Sequence, residues 1–157
     1  MTFKLIGALI FCLSGVMMAV SYRRFQLRKL DTVDGFISLL FYIKGQIECF
    51  SRPRSEILLT LPPEIFCACN CPLGAETLEE LVESSRIYLD DETLRLVSSF
   101  ASEFGGVFRD EQLRRCDYYI AALSEERKRV FASVSSRSRA GGALWVCGAV
   151  GIVILLW

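Results

Sequence analysis

The distribution of charge constrains this chain more than any motif does. No Asp or Glu precedes Asp31 or follows Glu126. Two uncharged runs, Leu5 to Tyr22 and Ala140 to Trp157, occupy the ends, and each is 18 residues long. Only basic residues flank them on the inner side. Arg23, Arg24, Arg28 and Lys29 follow the first run, and Arg127, Lys128, Arg129, Arg137 and Arg139 precede the second. A helix crosses the hydrocarbon core of a bilayer with roughly 17–25 apolar residues, and Lys and Arg stay on the cytoplasmic side of such spans. The expected organisation is an N-terminal transmembrane helix over 1–22, a cytosolic helical domain with basic flanks over 23–139 and a C-terminal transmembrane helix over 140–157. Both termini would then lie outside. A cleaved leader fits the first run less well, because its best small-residue site is Ala19-Val20-Ser21 and Arg23-Arg24 follows at once.

The 157 residues suit a single domain of ordinary size, and their net charge of zero conceals an asymmetry. Residues 31 to 126 hold all 18 acids and only 8 bases, a net charge of −10. An acidic centre lacks the basic footprint that nucleic-acid binding requires. The basic flanks suit an anionic membrane surface.

Apolar periodicity predicts helices throughout. Leu30, Val33, Ile37, Leu40, Lys44 and Ile47 recur at spacings of 3 and 4, widened by Phe36 and Ile43. This helix is free to continue from the first span. A short helix over 54–61 should follow and stop at Pro62-Pro63. Thr77 and Glu80 form a capping-box pattern ahead of Leu78, Leu81 and Val82. Leu94, Val97, Phe100, Ala101 and Phe104 would face inward on a helix opened by Asp90-Asp91. Gly105 and Gly106 are expected to form the structural turn that ends it. The last helix, capped by Asp110, carries Leu113, Cys116, Ile120, Leu123, Arg127, Val130 and Val134 in one series, and nothing before Gly141-Gly142 stops it from entering the second span. No strand alternation or repeat is present. The expected fold is all-α, an antiparallel bundle of five or six helices carried between two transmembrane helices.

Chemistry-bearing motifs are scarce. The chain has no histidine, the commonest general base and metal ligand. It has no phosphate-binding loop, nucleophile elbow or dinucleotide fingerprint. Cys67, Cys69 and Cys71, with Cys49 as a fourth ligand, are the alternative candidates for zinc, although their spacing is not that of a zinc knuckle. A cytosolic domain keeps such thiols reduced. Glu76, Glu79, Glu80 and Glu83 share one segment and read as a solvated or partner-docking face, not as an acid–base pair. Gly7 and Ser14, and Gly141 and Gly148, lie seven apart in the two uncharged runs, where small residues let membrane helices pack closely on each other or on a partner. No catalytic residue and no cofactor site is expected.

Several segments resemble one known family. Phe3-Lys4-Leu5-Ile6-Gly7-Ala8, Arg23-Arg24, the stretch 36–48, Arg52-Pro53-Arg54-Ser55-Glu56-Ile57-Leu58, Phe104-Gly105-Gly106 with Asp110-Glu111-Gln112-Leu113, and the glycine-rich terminus 142–157 are similar in order and spacing to stage III sporulation protein AB. The Cys67–Cys71 segment and Phe108 depart from that pattern. The resemblance implies a non-enzymatic platform component of a secretion-like complex required for endospore formation. The cytosolic domain would be similar to the F-type platform proteins of type II secretion and type IV pilus systems. It would dock a secretion-type ATPase and other components of the sporulation complex from the mother-cell membrane that surrounds the forespore, with homo-oligomerisation left open. Two other readings compete: a membrane-anchored thiol or zinc switch, and a small two-span regulator unrelated to sporulation.

Overall fold

The computed structural model describes the backbone of residues 2–50, 54–71, 74–105 and 108–156, and the side chains within these ranges except at 2–6, 8, 9, 11, 12, 50, 54, 55 and 136–156. The described residues are mostly helical and include no strand. The elements in chain order are α1 (Thr2–Phe50), α2 (Arg54–Leu59), α3 (Pro63–Ala68), α4 (Leu78–Ser85), a single 3-10 turn (Arg86–Tyr88), α5 (Asp91–Glu103) and α6 (Arg109–Leu156). The all-α expectation therefore holds. The two terminal helices are continuous, with 49 residues in α1 and 48 in α6, about 70 Å each at 1.5 Å per residue.

The chain forms two compact units. One comprises Met1–Leu27 and Phe131–Trp157, and the other Arg28–Val130. All of the second uncharged run and the start of the first lie outside the residues whose side chains are described. Among the described residues, no helix is long and apolar enough to cross a membrane.

In the unit Arg28–Val130, the 3- and 4-residue spacings become one core. Val33, Phe36, Leu39, Leu40, Ile43 and Ile47 of α1 are buried with Leu78, Leu81 and Val82 of α4, Val97, Phe100 and Ala101 of α5, and Cys116, Tyr119, Ile120 and Leu123 of α6. Polar ties along the rim set the direction of α6 against α1. Asp34 accepts from Arg127 through both of its carboxylate oxygens. Lys44 Nζ lies 2.7 Å from Asp117. Arg109 donates to the carbonyls of Ile47 at 3.2 Å and Glu48 at 2.5 Å. As the position on α1 rises, its partner on α6 falls, so the two helices run antiparallel here. Arg109 also satisfies carbonyls in the last turn of α1, which have no partner within the helix.

Three local expectations need correction. Pro62-Pro63 does more than end α2: Pro62 takes the N-cap of α3 with φ −60° and ψ 139°, and Pro63 starts the new helix. Proline suits that first position because its missing N–H would have no helical acceptor. Asp110 is not the cap of α6. The helix begins at Arg109, the Phe108 carbonyl accepts from Gln112 N–H, and Asp110 lies in the first turn. Arg127, which interrupts the apolar series of α6, is exposed and belongs to the rim pair with Asp34. Gly105 has φ +100°, the left-handed turn expected there. Gly106 lies outside the described residues.

The segment least readable from sequence, after Pro63, is held on three sides. The backbone of α1 at Gly35 approaches the end of α3 so closely that a Cβ there would stand 2.6 Å from the Ala68 carbonyl carbon. Asn70 adopts φ +54° and donates to Thr32 Oγ1 at 2.6 Å. Ser85 Oγ donates to the Cys69 carbonyl.

Candidate docking surfaces

The four carboxylates proposed for docking fall on and just before α4. Its inner side, Leu78, Leu81, Val82 and Ser85, is buried. Glu76, Glu79, Glu80 and Glu83 are all exposed. They are not equivalent. Thr77 caps the helix by accepting from Glu80 N–H at 3.1 Å, and Glu80 Oε2 reaches back to Glu76 N–H at 3.1 Å. Glu80 is therefore committed to the helix start, one residue beyond the reciprocal bond of the usual capping box. Glu83 pairs with Arg86 at 3.2 Å. Such an exposed i,i+3 pair contributes only about 0.3–0.5 kcal/mol, so a partner cation can displace Arg86 at little cost.

A second surface escaped the sequence reading. Glu103 at the end of α5 and Glu111, Arg114, Arg115, Tyr118 and Tyr119 of α6 line a cleft of about 460 Å³. Arg115 bridges two carboxylates, Glu103 at 3.1 Å and Glu111 at 3.3 Å, and Arg114 holds Glu111 at 2.9 Å. The Arg115 and Arg114 guanidiniums hold the Glu111 carboxyl below its ordinary range. Tyr119 packs edge-on against Phe100 with ring centres 5.4 Å apart, and Tyr118 stands edge-on to Tyr119 at 5.2 Å. Burial pushes the Tyr119 hydroxyl up from its ordinary value, and nearby Glu103 adds to this. The Tyr118 side chain is 64% exposed. Exposed tyrosine beside arginine is the composition that dominates protein interfaces. The adjacent Tyr118-Tyr119 pair beside Arg114-Arg115 was the available signal. It was hidden because Tyr119 falls outside the 3- and 4-residue series used to trace the core of α6.

The cysteines do not form a common site. Cys67 and Cys49 are exposed, whereas Cys69, Cys71 and Cys116 are buried. Burial pushes the Cys69 thiol up to about 12, with Cys71 nearby adding to it, and burial pushes Cys116 up to about 11. Buried thiols of this kind behave as small apolar fillers. Among the described residues, no three His, Cys, Asp or Glu side chains are placed to hold a metal ion.

The small residues proposed for membrane packing are separated by what can be described. Among the described residues, a Cβ at Gly7 would meet no atom within 4 Å. Ser14 is exposed and lines a cleft with Met17, Met18, Ser21 and Tyr22. Gly141 and Gly148 lie outside the residues whose side chains are described. Comparison with family models, curated proteins and solved structures gives no match to this chain.

Proposed function

We propose that this chain is a non-enzymatic membrane platform component of a secretion-like complex, of the stage III sporulation AB type. Its two ends anchor it in the mother-cell membrane as transmembrane helices. The helical unit Arg28–Val130, a bundle in this reading, faces the cytosol and docks a secretion-type ATPase. The observation that carries the proposal is the charge layout: two 18-residue uncharged runs flanked only by bases, around a centre of net charge −10. The order and spacing of the segments similar to that sporulation family supply the specific role.

Docking is assigned to Glu76, Glu79 and Glu83 of the α4 surface, whose charge suits a basic partner. Charge complementarity of this kind sets specificity and association rate more than affinity. Glu80 serves the cap and is spared in any test. Deletion of the gene in its native host, scored by heat-resistant spore counts and microscopy, tests the reading. A block after engulfment that the intact gene rescues, and that a Glu79→Lys, Glu83→Lys variant does not, is the expected result. Normal sporulation in the deletion strain would overturn the proposal.

A further inference from the structure

Arg23, Arg24 and Arg28 stand apart from the other bases. Every other Lys or Arg whose side chain is described is engaged by a carboxylate or a backbone carbonyl. These three are exposed and, among the described residues, have neither. The centre from Asp31 to Glu126 has carboxylates to spare, yet these three bases at the inner end of the first uncharged run stay unpaired among the described residues.

Arg24 also lies at the head of a particular stripe. In an α-helix each residue advances about 100°. Gln26, about 200° round from Arg24, is only 7% exposed, so Arg24 faces away from the buried side of α1. Met17, seven residues before Arg24, shares its outward face, and Ser21 lies one turn below it. Ser14, Met17, Met18, Ser21 and Tyr22 line an open cleft of about 490 Å³. Met17 is 68% exposed and Met18 59%. The Cα–Cβ bonds of a helix tilt toward its N-terminus, so the Arg24 side chain leans back over Ser21 toward the side of that cleft lined by Met17 and Ser21. Arg23, by contrast, lies only about 60° from Gln26 and so on the other side of the helix.

We propose that this outward face of α1 binds one acidic phospholipid, with Arg24 holding the phosphate and the cleft over 14–22 taking an acyl chain. A guanidinium meets phosphate oxygens through two parallel hydrogen bonds. The Ser21 and Tyr22 hydroxyls lie at the level where a glycerol backbone would sit. The flexible thioethers of Met17 and Met18 conform to a mobile chain. An anionic lipid is the occupant that matches the unpaired cation at one end of the stripe and the bare apolar surface at the other. The proposal rests on the membrane reading of residues 1–22.

The test uses the full chain in detergent micelles, offered equal amounts of dioleoyl phosphatidylglycerol and dioleoyl phosphatidylcholine and analysed by native mass spectrometry. The unmodified chain is expected to retain phosphatidylglycerol preferentially. Arg24→Gln should reduce that retention about fivefold, the ratio one base near an anionic surface supplies. Ser21→Trp, which fills the cleft, should also reduce it. Arg23→Gln should leave it unchanged. Glycerol phosphate, which lacks a chain, should not displace the lipid. Equal retention of both lipids, equal losses from Arg23→Gln and Arg24→Gln, displacement by glycerol phosphate, or a lipid-free dimer that Ser21→Trp splits would each overturn the site. Circular dichroism confirms that the variants remain helical. Extraction from vesicles at alkaline pH separates the two levels of inference. A chain washed off would sink the membrane reading and this site together, whereas a resistant chain without lipid preference would sink the site alone.

Discussion

Gly35 is the residue on which the packing of α3 depends. A Cβ there would stand 2.6 Å from the carbon and 2.7 Å from the oxygen of the Ala68 carbonyl, and 2.8 Å from Cys69 N. All three are backbone atoms that no rotamer change can move. In an exposed helix interior, glycine to alanine gains about 1 kcal/mol. Overpacking against fixed backbone costs about 1–3 kcal/mol, so the clash decides. Gly35→Ala is expected to lower the thermal midpoint followed by circular dichroism, and an unchanged or raised midpoint would refute the close approach. Thr93 presents the opposite case. It is fully buried, and its hydroxyl has no hydrogen-bond partner among the described residues. Thr93→Val keeps the shape and removes the unsatisfied oxygen, so it should raise stability by about 1 kcal/mol. A loss of stability would mean that the hydroxyl is satisfied after all. Cys69 makes the alkaline limit predictable. Its ordinary value is 9.0 and burial raises it to about 12. Between those values the unfolded chain has released the proton and the folded chain still holds it, so stability falls as pH rises through this window. Cys69→Ala should flatten that part of the pH profile; an equally steep profile would place the titration elsewhere.

Among the helices, those with a sustained 3- and 4-residue period were legible from sequence alone. α1 from Leu30 onward, α4, α5 and α6 each bury most of the residues that the spacing selects. What was missed follows from physical causes that periodicity does not carry. Leu39, Thr93 and Tyr119 are buried because a neighbour covers the flank of the stripe, not because they lie on its centre line. α3 went unseen because it has only six residues and opens on a proline that also ends α2. The docking of its end on Gly35 joins positions far apart in the chain and leaves no local pattern. The α4 carboxylates were legible as an exposed group, but the commitment of Glu80 to the cap depends on an extended Thr77. The exit from α5 was legible through its glycines. Phe104 leaves the helix extended at ψ 123°, and Gly105 then takes φ +100°. A branched residue at such a φ costs roughly 1–3 kcal/mol. Gly105→Val should therefore lower the melting midpoint, whereas Gly105→Asn should be milder because Asn tolerates this region. Equal effects of the two substitutions would count against a conformational cause.

For the chain as a whole, orientation is the property most exposed to test. If the basic flanks set it, replacing Arg23, Arg24, Arg28 and Lys29 with glutamate should disturb insertion of the first span. Reporter fusions at the C-terminus would read this as a change in the side on which the terminus lies. A reporter that stays cytosolic on the unmodified chain would contradict two spans with outward termini.

The antiparallel pairing of α1 with α6 has a consequence for how the protein is made. The ties between them join residues 93 apart at Asp34 and Arg127 and 73 apart at Lys44 and Asp117. The apolar stripe of Val33, Phe36, Leu40, Ile43 and Ile47 therefore leaves the ribosome well before Cys116, Ile120 and Leu123 exist to cover it. At roughly 5–20 residues per second the interval is on the order of ten seconds. During that time the nascent chain carries an uncovered greasy strip, the condition under which translating polypeptides recruit chaperones or stick to one another.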